Sequence, residues 1–163
     1  LRHKLAVSKA EEFTTGSSFH RVLWDDAQQG NSETTLVSDS NIKRVVMCSG
    51  KVYYDLLEAR REQNIKDIAI VRLEQLYPFE KDIIVKIMQK YSKATDYAWC
   101  QEEPRNMGGW RYIRAYMEEA LKQAAIKKAI RFVGRPEASS PAVGYLYVHN
   151  KQQEALVKEA LGI

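Results

Sequence analysis

Two short stretches carry the residue types that chemistry most often uses. Ser49-Gly50-Lys51 follows an apolar run and precedes an amphipathic one. A helix N-terminus there would offer unpaired N–H groups and a favourable dipole to an anion, and Lys51 would add a full charge. The phosphate-loop pattern is nevertheless incomplete: Val45 stands where the first glycine is needed, and Val52 replaces the Ser or Thr after the lysine. A plainer use is local, with Ser49 capping the helix and Gly50 easing the turn. The second stretch is Glu102-Glu103-Pro104. Neighbours on an extended chain point to opposite sides, so the two carboxylates do not form an acid/base couple on one atom. One should turn inward and pair with an arginine, the other face solvent. Arg135 is the expected partner, in a bidentate geometry.

Other chemistry finds little support. His3, His20 and His149 lie far apart, so a zinc site is not expected. Cys48 and Cys100 have no C-x-x-C spacing and each ends an apolar run; they read as buried, reduced thiols in a reducing compartment. Lys122, Lys127 and Lys128 flank a helix end, where the dipole favours cations, and no aromatic residues interleave with them. Nucleic-acid binding is not expected. No Ser-His-Asp order is present.

The elements that would position these residues follow from apolar periodicity. Lys43–Cys48, Asp67–Leu73, Asp96–Gln101 and Ala129–Val133 are apolar runs bounded by charge or turn residues, as strands covered on both faces should be. Between and after them, 51–63, 78–91, a stretch opened by Gly108-Gly109, and 149–161 repeat apolar residues at helical spacing. Pro78 is placed at a helix start, Asn64 and Gly162 at helix ends, and Ala155 and Leu156 on the inward side of the last helix. Four strand–helix alternations predict an α/β domain, mainly a parallel sheet with helices on both faces, over 41–163. Residues 1–40 read as an arm from a preceding domain, with a short strand in Phe19–Trp24 holding Phe19 or Trp24 on a neighbour and a polar, mobile loop at 25–33.

Composition sets the outer limits. The chain has 163 residues, 45% of them hydrophobic, with Lys+Arg 25 against Asp+Glu 21. That length supports a core without a disulfide or metal staple. No apolar run approaches a membrane span. Because the first residue is Leu1 and no signal segment follows, the chain reads as a segment of a longer polypeptide. In an open α/β sheet, ligands bind beyond the carboxyl ends of the strands. Ser49, Gln75, Glu102 and Arg135 should therefore gather on one rim.

Several long strings, in order, resemble one family: Arg44–Leu56, Ala69–Pro78, Trp99–Pro104 with Asn106, Gly108 and Trp110, Gly134-Arg135-Pro136 with Ser139–Ala142 and Gly144, and Lys151-Gln152-Gln153. Together with Leu1-Arg2-His3 and Leu5–Ser8, they are similar to the last domain of the E1 component of 2-oxoglutarate dehydrogenase. Lys4 departs from a proline frequent there, and residues 17–40 match nothing clear.

The resemblance implies a transketolase C-terminal type of fold, Rossmann-like and three-layered. It implies an enzyme that decarboxylates 2-oxoglutarate in the tricarboxylic acid cycle with thiamine diphosphate and Mg²⁺, and passes a succinyl group to the lipoyl arm of E2. The implied partners are the preceding E1 domains, a second E1 and the E2 and E3 subunits, in bacterial cytoplasm or the mitochondrial matrix. It also implies that this domain binds neither cofactor nor metal and holds no catalytic residue. Arg2, Lys4, Ser49, Lys51, Gln75, Glu102 and Arg135 then form a rim that braces neighbouring domains or accepts a regulatory anion. The alternative is a free-standing flavodoxin-like module that binds a nucleotide through Lys51.

Overall fold

The computed structural model describes residues 3–28 and 33–163. Among the described residues five strands form one sheet: β1 (Val22–Leu23), β2 (Arg44–Cys48), β3 (Ile68–Leu73), β4 (Asp96–Pro104) and β5 (Ile130–Arg135). Their order is β1-β3-β2-β4-β5. β2 through β5 are parallel, and β1 closes one edge antiparallel to β3, with Val22 opposite Leu73. Among the described residues four α-helices follow the strands: α1 (Val52–Glu62), α2 (Lys81–Lys90), α3 (Trp110–Gln123) and α4 (Leu146–Leu161).

Alternation along each strand divides the core in two, because successive side chains leave opposite faces of the sheet. Val45, Met47, Val71, Tyr97 and Trp99 face α2 and α3, where Ile84, Ile87, Ile113, Met117 and Leu121 cover them. Val46, Cys48, Ile70, Ala98 and Cys100 face α1 and α4, meeting Val52, Leu56, Leu156, Val157 and Leu161. The apolar, non-alternating strands thus follow from cover on both sides. Both thiols are free and buried, and burial pushes the Cys48 thiol up and the Cys100 thiol to about 12. They behave as small hydrophobes.

Helix ends follow local chemistry. Asn64 takes φ 51 just beyond α1, and Gly162 takes φ 69 after α4. Other expectations need correction. α2 begins at Lys81, so Pro78 lies in the turn before it. α4 starts three residues earlier than expected, and Ala155 faces solvent while Leu156 and Val157 point inward. Trp24, and not Phe19, packs on the core; Phe19 is exposed.

The polar stretch 25–33 is the largest correction, although its residues 29–32 lie outside the described residues. Asp25 is fully buried and pairs with Arg60, itself fully buried. The Asp25 carboxylate also accepts from Ile70 N at 2.6 Å and Ala27 N at 2.9 Å. Asp26 accepts from Arg60 Nη2 at 2.6 Å and Arg61 Nη2 at 2.9 Å. Beside the two-residue β1, Asp25 therefore takes up an edge N–H of β3 with a side chain. The buried partners supply what offsets the ordering of this polar segment.

Across the sheet at the amino ends of the strands, Asp96 joins Arg44 Nε at 2.6 Å and Arg131 Nη2 at 2.9 Å. Burial alone would push the Asp96 carboxyl up, but the hydrogen bond and charge of Arg131, with Arg44, outweigh it and hold it below its ordinary value. A carboxyl lowered by folding contributes stability above its unfolded-state value and loses it as pH falls through the folded one. Asp96→Asn is accordingly expected to flatten the acid limb of a stability–pH curve relative to the unaltered chain. Superimposable acid limbs would contradict this.

Candidate functional site

The carboxyl tips of β2, β4 and β5, the first turn of α1 and the first two turns of α4 meet in one polar network. Gly50, at φ 76, makes the turn that sends the chain from β2 into α1. Lys51 is the residue that precedes α1, and no side chain caps that helix. Ser49 therefore does not serve as the expected cap. Lys51 Nζ reaches Asp55 at 2.7 Å, one helical turn on, and Glu102 at 3.0 Å across the rim. Burial lowers the Lys51 ammonium, but the hydrogen bonds and charges of Asp55 and Glu102 raise it further, so it stays above its ordinary value.

Glu102 does not pair with Arg135. Its partner is Lys51, while Glu103 faces solvent as expected. Arg135 Nη2 instead bonds His149 Nδ1 at 3.0 Å and donates to Gln153 Oε1 at 3.2 Å. Gln153 Nε2 in turn donates to Asp55 Oδ2 at 2.8 Å. Glu102, Lys51, Asp55, Gln153 and Arg135 thus form a continuous chain of polar contacts from β4 through α1 and α4 to β5. Asp55 and Gln153 were not among the residues expected here, although Gln153 stands one turn after His149 on α4.

The other expected rim residues are placed separately. Lys4 pairs with Glu58 on α1, and His3 Nε2 lies 3.4 Å from Asp55 and 3.5 Å from Glu58. The hydrogen bond from Lys4 holds the Glu58 carboxyl below its ordinary value. Gln75 donates to Pro78 O at 2.8 Å and so braces its own turn. Ser49 is half-buried at the end of β2. Arg2 lies outside the described residues.

Behind the rim sits a second organising residue, at the end of the apolar run Asp96–Gln101. Gln101 is buried, accepts from Trp99 Nε1 at 2.9 Å and Trp110 N at 3.0 Å, and donates to the carbonyls of Glu103, Pro104 and Met107. Every lone pair and proton of its amide is engaged, and it fixes the path of the chain from β4 into α3. A Cβ on Gly108, at φ 65, would stand 2.9 Å from Gln101 Nε2, so glycine is required there.

Of larger spaces, a cavity of about 620 Å³ lies between residues 12–28 and the end of β3, lined in part by Phe19, His20, Trp24, Arg72 and Glu74. The space at the Arg135 end of the rim is only about 40 Å³. Among the described residues no three His, Cys, Asp or Glu side chains are grouped to hold a metal ion, and no helix is long and apolar enough to cross a membrane.

Comparison with known proteins bears on this geometry. A family model described as 2-oxoglutarate dehydrogenase C-terminal matches residues 7–161. The chain is 52% identical over 163 residues to the 2-oxoglutarate dehydrogenase E1 component of Rickettsia conorii, which covers 100% of this chain and 16% of that protein. It is 47% identical over 164 residues to the E1 component of Brucella anthropi, with 99% of this chain and 16% of that protein covered. The chain thus spans 16% of the length of these relatives. Its backbone is similar to a solved structure titled split gene transketolase, inactive beta4 tetramer, at a TM-score of 0.50 and 16% identity, over 75% of this chain and 39% of that one. That likeness is one of fold.

Proposed function

The chain belongs to the 2-oxoglutarate dehydrogenase C-terminal family, and on that premise we propose that it is the last α/β lobe of an E1 enzyme, serving to pack domains and subunits and holding no catalytic group. The enzyme as a whole would decarboxylate 2-oxoglutarate with thiamine diphosphate and Mg²⁺, and pass the succinyl group to the lipoyl arm of E2 in the assembled complex with E3. The relatives reported above are bacterial, which favours the cytoplasm as its place of work.

One observation carries the reading of this lobe: the rim neutralises its own lysines. Lys51 is held between Asp55 and Glu102, and Lys4 is paired with Glu58. A surface whose charges are already matched can be covered by another domain without leaving an uncompensated ion. A diphosphate site needs the opposite, free donors and unspent positive charge. The rim residues fit thiamine diphosphate and its metal poorly on that count, so no step of the reaction is assigned to them. The same matching disfavours a nucleotide site built on Lys51.

The test is turnover. The 163-residue chain, supplied with thiamine diphosphate, Mg²⁺ and 2-oxoglutarate, is expected to release no CO₂ above a protein-free blank. Release in proportion to chain concentration would defeat the proposal.

A further inference from the structure

Arg135 is 6% exposed, and its Nε has no hydrogen-bond partner. The other buried or half-buried arginines each have a carboxylate within reach: Arg44 with Asp96, Arg60 with Asp25, Arg61 with Asp26, Arg72 with Glu74. Arg135 has none among the described residues; its partners, His149 and Gln153, are a ring nitrogen and a neutral amide. A guanidinium taken this far from water without a counter-charge is costly. It borders the cavity of about 40 Å³, whose walls are otherwise mostly prolines, alanines and Val143. Gln152 lines the same cavity, and its Oε1 is buried without a partner.

We propose that this cavity is a binding site for a single oxyanion group, a carboxylate or a bare phosphate, whose charge Arg135 compensates. Size selects the class. Sites for drug-sized or nucleoside ligands occupy roughly 300–1,000 Å³, so this one admits an oxyanion and no attached base. Gln152 completes it by turning its amide so that the N–H₂ group, and not Oε1, faces the anion; the two ends of an amide are nearly isosteric. The inference deepens the reading of the rim: the lysines are spent on internal pairs, and Arg135 is the cation left to accept an outside charge.

The test uses the 163-residue chain and its thermal and urea stability in acetate, phosphate and AMP, at fixed ionic strength set with chloride. Acetate or phosphate should stabilise by mass action: well above the dissociation constant each tenfold rise in anion raises the folding constant about tenfold. AMP should do no better than phosphate. Arg135→Gln should abolish the response. Because that variant can also weaken folding, Gln152→Glu gives a second reading. It sets a carboxylate in the cavity, and is expected to raise stability near neutral pH and to remove the anion dependence. No anion dependence in the unaltered chain, the behaviour of a cavity filled by water alone, would overturn the proposal. So would a Gln152→Glu chain that is destabilised and still responds to phosphate, or AMP binding more tightly than phosphate. None of these results touches the packing role of Lys51 and Glu102, which is read separately from assembly.

Discussion

Arg60→Met is expected to lower the stability of the chain by about 3–5 kcal/mol, because it strands the Asp25 carboxylate in the core without its counter-charge. Arg60 and Asp25 are both fully buried, and Arg60 also donates to Ile68 O at 3.2 Å and to Asp26. Methionine keeps most of the side-chain volume, so the loss reports charge and hydrogen bonding more than packing. A second variant separates the two sources. Asp25→Asn combined with Arg60→Met removes both charges and should recover much of the loss, since a buried pair replaced by neutral groups is often near neutral in stability. Urea unfolding with an unchanged m-value is the measurement. A loss within the range of exposed pairs, below about 1 kcal/mol, would mean that the clasp between residues 25–26 and α1 contributes nothing to the fold.

Gln101→Leu should be comparably damaging. It leaves the indole N–H of Trp99 and the backbone N–H of Trp110 without their acceptor, and three carbonyls without their donor. At about 1–3 kcal/mol for each stranded buried donor, the two N–H groups alone account for about 2–6 kcal/mol. The loss should be local at first, and the emission of Trp99 and Trp110 should shift before the far-ultraviolet signal changes. Coincident, unshifted transitions in the variant and the unaltered chain would refute the role given to Gln101.

Much of this architecture could be read from the order of residues. Val45–Cys48 and Ile68–Val71 are apolar without alternation, and only a strand with helices on both sides makes sense of that. Asn64 and Gly162 end helices by taking positive φ, as their residue types foretell. The network was less legible because it depends on lateral placement. Glu102 and Arg135 stand near the ends of adjacent strands, yet the register shifts between Cys100 and Pro104, and Lys51 takes the carboxylate. What Arg135 meets is set by α4, whose His149 and Gln153 come 14 and 18 residues later. Asp25 was misread for a related reason: its neighbours in sequence are polar and aperiodic, while its partners lie 35 and 45 residues away. Local pattern describes the segment itself and is silent on a distant buried arginine.

In the proposed function, the rim formed by Lys51 and Glu102 holds the protein together and does not take part in the reaction. Glu102→Lys, made in the full-length E1 protein, tests it most directly, with assembly state and kcat measured on the same preparation. Setting a second cation beside Lys51 should loosen the packing of this lobe, lowering the temperature at which the assembly dissociates, while the assembled fraction keeps its kcat and its KM for 2-oxoglutarate. An assembly of unchanged stability whose kcat collapses, or whose KM alone shifts, would place the rim in the reaction and not in the packing of the lobe.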